Sequence, residues 1–139
     1  MTTTFFKDIA DAIKNKVNTA ESVEVVYGYE KSTFAGFPAV VIVPTSNDSD
    51  YGSTESDKIT YVFKVKAYYI IKDETEMEEA DTAMYEVMDE LSNIFRERDV
   101  LGDACDWVEP VPGEWDFEER GEAVYRTATL TLRCKKYVG

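Results

Sequence analysis

Apolar residues recur along this chain with two different periods. From Phe6 they return every three or four positions (Phe6, Ile9, Ala10, Ile13, Val17), with Lys7, Asp11, Lys14 and Asn15 between them. That spacing lays one apolar stripe along a helix, and Thr3 or Thr4 just ahead can cap the free N–H groups of its first turn. A second stripe, Met77, Ala80, Met84, Val87, Met88, Leu91, Ile94 and Phe95, predicts a helix over residues 74–98. Acids crowd its beginning and Arg96 and Arg98 its end, which complements the helix dipole.

Elsewhere the period shortens to two. Residues 22–29 are rich in β-branched and aromatic side chains, and residues 37–43 form a nearly unbroken apolar run. Both read as strands, the second buried on both faces. Pro38 opens that run and Pro44 ends it, and residues 30–36 make a hairpin connection between the two. Residues 58–71 alternate strictly, with Ile59, Tyr61, Phe63, Val65, Ala67, Tyr69 and Ile71 on one face and Thr60, Lys64 and Lys66 on the other. Residues 105–111 and 115–119 predict two short strands parted by Pro110, Pro112 and Gly113. Arg120-Gly121 then turns the chain into a strand over 124–134, with Val124, Ala128, Leu130, Leu132 and Cys134 facing one way.

The segments give the order α-β-β-β-α-β-β-β. An α+β fold follows, with a mostly antiparallel sheet on which two amphipathic helices pack. A length of 139 residues, with no repeat or linker, suits a single domain over residues 1–139.

Charge narrows the function. With 28 acidic and 15 basic residues the net charge is −13, which repels phosphate backbones and anionic lipid. No apolar run approaches the roughly 20 residues of a membrane span, and the N-terminus lacks a signal-peptide core. Two cysteines, Cys105 and Cys134, fit a reducing compartment.

Candidate chemistry is sparse. The chain has no histidine, so a Ser-His-Asp or Cys-His nucleophile cannot be built and the commonest metal ligand is missing. Its glycines are scattered and form no phosphate loop. Among so many acids no carboxylate pair stands out for glycosidase-like work. The polar stretch 45–57 puts Gly52 where a calcium loop beginning at Asn47 needs glycine, but Tyr51 falls on a ligand position and Lys58 where glutamate belongs. It reads instead as an exposed loop. The expectation is a non-enzymatic protein without cofactor or metal, working through its surfaces.

Three pieces together bear a likeness. They are helix 5–17 with the later apolar strand 37–44, strand 59–71 feeding helix 77–95, and the closing run Val108-Glu109-Pro110-Val111, Trp115, then Gly121-Glu122-Ala123-Val124-Tyr125-Arg126-Thr127-Ala128-Thr129-Leu130-Thr131-Leu132. In order and texture the chain resembles the tail terminator (tail completion) proteins of long-tailed bacteriophages. The resemblance implies a virion protein at the head-proximal end of the tail, made in the bacterial cytoplasm. It would form a ring, usually a hexamer, on the tail tube protein and meet a head-completion or neck protein. DNA would pass through without specific binding. Under that reading Asp73, Glu74, Glu76, Glu78 and Glu79 are candidate channel-facing acids. Asp48, Asp50, Tyr51 and Glu55 belong to a candidate partner-contact loop, and Trp107, Trp115 and Arg126 are candidate interface residues. Another neck, connector or minor tail protein is the alternative within this class. A cytoplasmic small-ligand or regulatory binding module is the alternative outside it.

Overall fold

The computed structural model of the chain describes residues 5–29, 31, 33–50, 57–73, 76–97 and 101–138. Their order is α1 (Phe5–Val17), β1 (Val25–Tyr27), β2 (Ala39–Asp50), β3 (Asp57–Ile71), α2 (Met77–Arg96), a 3-10 turn (Gly102–Ala104), β4 (Trp107–Arg120) and β5 (Ala123–Val138). The five strands form one sheet in the order β1-β2-β3-β5-β4. β1 runs parallel to β2, and every other pair is antiparallel. The α+β class with two helices on a mostly antiparallel sheet is therefore what folds.

Both helices lie on the same side of the sheet, α1 over β1 and β2 and α2 over β3, β4 and β5. The stripes read from the sequence are the faces they bury. Ile9, Ile13 and Val17 of α1, and Met84, Val87, Leu91 and Phe95 of α2, meet Val40, Ile42, Phe63, Val65, Leu130 and Leu132 in the main core. Each large side chain sealed this way contributes about 1.5–3 kcal/mol. A smaller cluster forms on the reverse side, where Tyr27, Ala39, Val41, Tyr68 and Tyr125 are covered by Phe34 and Phe37. Strand β2 is thus buried on both faces over Ala39–Ile42, as its unbroken apolar run requires.

Several boundaries differ from expectation. The strand at 22–29 is reduced to Val25–Tyr27, and its parallel pairing with β2 rules out a hairpin at 30–36. Phe34 and Phe37 of this connection pack on the reverse face instead. Pro44 does not end β2. The ladder with β3 shifts register between Pro44 and Ser46 and continues to Asp50, so pairing with a long neighbour overrides the local turn preference of Thr45–Asp50. The exposed loop predicted over 45–57 is corrected to strand for residues 45–50 and for Asp57, and residues 51–56 lie outside the described set. Helix α2 spans Met77–Arg96, shorter at both ends than 74–98, and residues 74–75 and 98–100 lie outside the described set, as does the expected cap at Thr3 or Thr4.

The two short strands foreseen at 105–111 and 115–119 are one, β4, which begins at Trp107 and carries a register shift between Pro112 and Trp115. Pro112 and Gly113 make the irregularity without breaking the ladder. A Cβ on Gly113 would lie 2.3 Å from the Thr129 carbonyl oxygen, so the close approach of β5 at this point admits only glycine without movement. Gly121, at φ +60°, opens the two-residue turn between Arg120 and Ala123 and suits a backbone that side chains with a Cβ disfavour.

Candidate interaction surfaces

Strand alternation and the position of α2 sort the exposed residues into three surfaces. The first is a ledge where α2 meets β4 and β5. Arg126 points to the helix side, and its Nε donates to Asp81 Oδ1 of α2 at 2.7 Å. Its Nη1 donates to the Asp116 carbonyl at 3.2 Å. The guanidinium lies 4.4 Å from the ring centre of Phe117 and 5.2 Å from that of Trp115, and Trp115 in turn packs on Tyr85 at 5.4 Å. Tyr85 (56% exposed) and Phe117 (49%) present their rings to solvent. Tyr, Trp and Arg held rigidly in one patch are the residue types that dominate protein interfaces.

Of the three candidate interface residues, the fold thus brings Trp115 and Arg126 together. Trp107 is separate. It stands on the reverse face opposite Lys135 and is 62% exposed, with the Lys135 ammonium 5.7 Å from its ring.

The second surface is the outer side of α2, where Glu78, Glu79, Glu86 and Asp89 are exposed. Glu90 beside them is tied down. Its carboxylate accepts from Glu21 N at 3.1 Å, from Ser22 N at 2.9 Å and from the Ser22 hydroxyl. The hydroxyl bond first, and the two backbone N–H groups with it, hold this carboxyl below its ordinary value against the opposing effect of burial. Shallow, open depressions beside α2 are lined largely by these acids.

Of the candidate channel-facing acids, Asp73 and Glu76 shape the start of the helix: Asp73 Oδ1 accepts from Glu76 N at 3.2 Å, and Glu76 Oε2 from Lys72 N at 3.1 Å. Glu78 and Glu79 stand in its first turn, and Glu74 lies outside the described residues. Asp48 and Asp50, expected in a contact loop, belong to the β2 ladder opposite Thr60 and Lys58, whereas Tyr51 and Glu55 fall outside the described residues.

The third surface is the reverse side of the sheet, beyond the cover of Phe34 and Phe37. Register places Lys64 of β3 opposite Thr131 and Lys66 opposite Thr129, with Arg133 and Lys135 further along β5. Lys66 is paired with Glu118 at 3.3 Å and Lys135 with Glu109 at 3.4 Å. Lys64 and Arg133 are exposed. No periodicity argument could bring these cations together, because only the β3–β5–β4 register does so.

Arg120, also on this side, is engaged internally. It donates to the Lys31 carbonyl, to the Tyr68 hydroxyl at 3.0 Å and to Glu118 at 2.9 Å, and it stacks on Phe34. It pins the 28–38 connection to the sheet.

Cys105 and Cys134, far apart in the sequence, are buried neighbours because β4 pairs with β5 at Val108 and Cys134. The hydrogen bond shared with Cys105, and then burial, keep the Cys134 thiol far above its ordinary value. Among the described residues no group of three or more His, Cys, Asp or Glu is placed to hold a metal ion, and no helix is long and apolar enough to cross a membrane. No protein-family model matches the sequence, and no curated protein matches it.

Proposed function

We propose that this chain is a structural virion protein that caps the completed tail tube of a long-tailed phage as a ring and provides the surface for head joining. It acts by contact and not by catalysis. The observation that carries the reading is the distribution of its exposed groups. An aromatic–arginine ledge, an acidic helix face and a basic sheet face share one small domain, and the described depressions beside α2 are shallow and acid-lined. Surfaces of this kind suit a protein that meets several neighbours at once. The resemblance in segment order supplies the particular class.

In this reading the ring is a hexamer. The ledge around Trp115 and Arg126 serves subunit or neck contacts, and Asp73, Glu76, Glu78 and Glu79 border the channel. Carboxylates there repel passing DNA phosphates instead of retaining them. The tail tube protein lies on one side of the ring and a head-completion protein on the other. Quantitative mass spectrometry of purified phage particles tests the proposal: about six copies per particle are expected from a single cyclic ring. Absence of the protein from infectious particles overturns it.

A further inference from the structure

The reverse face of the sheet is half uncovered. Lys64 and Arg133 stand exposed near its middle, Val43 and Thr131 are half-buried around them, and Val111 and Trp107 are exposed at its β4 margin. On a chain of net charge −13 this is a local excess of positive charge, because Glu109 is paired with Lys135, and Glu118 is shared between Lys66 and Arg120, while Lys64 and Arg133 stand exposed beside them. The opposite side of the same molecule carries the reverse sign: Glu86 and Asp89 are exposed along the middle of α2, with Glu78 and Glu79 about two to three turns before them.

We infer that the open sheet face, centred on Lys64 and Arg133, docks the acidic outer face of α2, centred on Glu86 and Asp89, of a second copy of this chain. The inference rests on the assembly reading above and names its contact.

Three observations select this occupant. Charge complementarity is met within one sequence, so repeated copies satisfy each other. The two patches differ and lie on opposite sides of the molecule, which makes the contact heterologous and able to propagate from copy to copy, as a ring requires. The alternative route, strand addition at the free edge of β4, is opposed by what that strand carries: Pro110 and Pro112 withhold N–H donors, and Glu109, Glu114 and Glu119 are exposed along it. Nucleic acid suits the face less well, since two of its four central cations are already paired and the whole molecule repels phosphate.

Sedimentation velocity on the full chain tests the contact through charge exchange. The wild type is expected to assemble at low salt and to dissociate as salt is raised. Lys64→Glu with Arg133→Glu makes both patches acidic, and Glu86→Lys with Asp89→Lys makes both basic. Each double variant should therefore associate roughly a hundredfold more weakly, from like charges facing each other across the contact. An equimolar mixture of the two should recover assembly, because each variant then complements the other. All four positions are exposed, and circular dichroism with thermal melting verifies that each variant is folded.

Wild-type assembly kept by both double variants, or a mixture that stays dissociated, removes this contact and leaves the ring reading standing. A wild type that is monomeric at every salt concentration also overturns the inference. So does duplex DNA binding by the wild type that Lys64→Glu with Arg133→Glu abolishes while self-association is unchanged. The ring reading itself falls separately, through absence of the protein from phage particles.

Discussion

On the helix side of the sheet Phe63, Val65, Leu130 and Leu132 are sealed beneath α1 and α2. On the reverse side, one position along the same strands, Lys64 and Arg133 stand in water and Thr129 and Thr131 are half-buried. The strands are shared, and so is the backbone hydrogen bonding. What differs is the cover: two amphipathic helices on one side, and on the other the Phe34 and Phe37 side chains of a short connection over one end. Period-two alternation delivers neighbouring residues to opposite faces, so β3 buries its odd positions and opens its even ones, and β5 does the reverse. Tyr68 marks where this division stops. Although on the reverse face, it is fully buried under Phe34 and held by Arg120.

Substitution at adjacent positions is the sharpest way to break this contrast. Phe63→Ala empties a fully buried site and should cost about 3–5 kcal/mol. Lys64→Ala, one residue on, should change monomer stability by less than about 0.5 kcal/mol. Denaturant titration of both variants checks the pair, and similar losses would mean that the two faces are not distinct. A smaller effect belongs to Arg120→Ala, which frees the 28–38 connection from the sheet. It should cost about 1–2 kcal/mol and raise amide exchange around Phe34 and Tyr68 before it affects α2. Exchange that rises first in α2 would show that the reverse-side cover is no separate unit.

The smallest effect is one of pH. The carboxyl of Glu90 is lowered in the folded protein relative to its ordinary 4.5. The stability it adds is therefore fully present above about 4.5 and is lost as pH falls through and below that value. Because the site is open to water the gain is under about 1 kcal/mol. Glu90→Gln should lower stability by that small amount near pH 7, leave it unchanged well below pH 4, and so flatten the acid limb of the stability curve. An unchanged acid limb would remove Glu90 as the link between α2 and the Glu21–Ser22 turn.

The helix stripes and the two-sided burial of β2 were legible because each follows from periodicity within one segment. Ile9, Ile13, Val87 and Leu91 face the core as their spacing requires. What could not be read were features created between segments. The parallel β1–β2 pairing, the run of β2 through Pro44 and the fusion of two short strands into β4 all come from ladder partners distant in sequence. The same is true of the surfaces. Trp115 and Arg126 could be named as interface candidates, but nothing local announced that Asp81, Tyr85 and Phe117 would join them. The cysteines became neighbours through register, and so did the basic patch of Lys64 and Arg133.

Under the proposed function these faces meet other copies of the chain. Negative-stain electron microscopy of the purified full-length protein, alone and mixed with tail tubes, addresses it directly. Closed rings of cyclic symmetry, free or seated at tube ends, are expected. Particles that stay single in both preparations would contradict that reading.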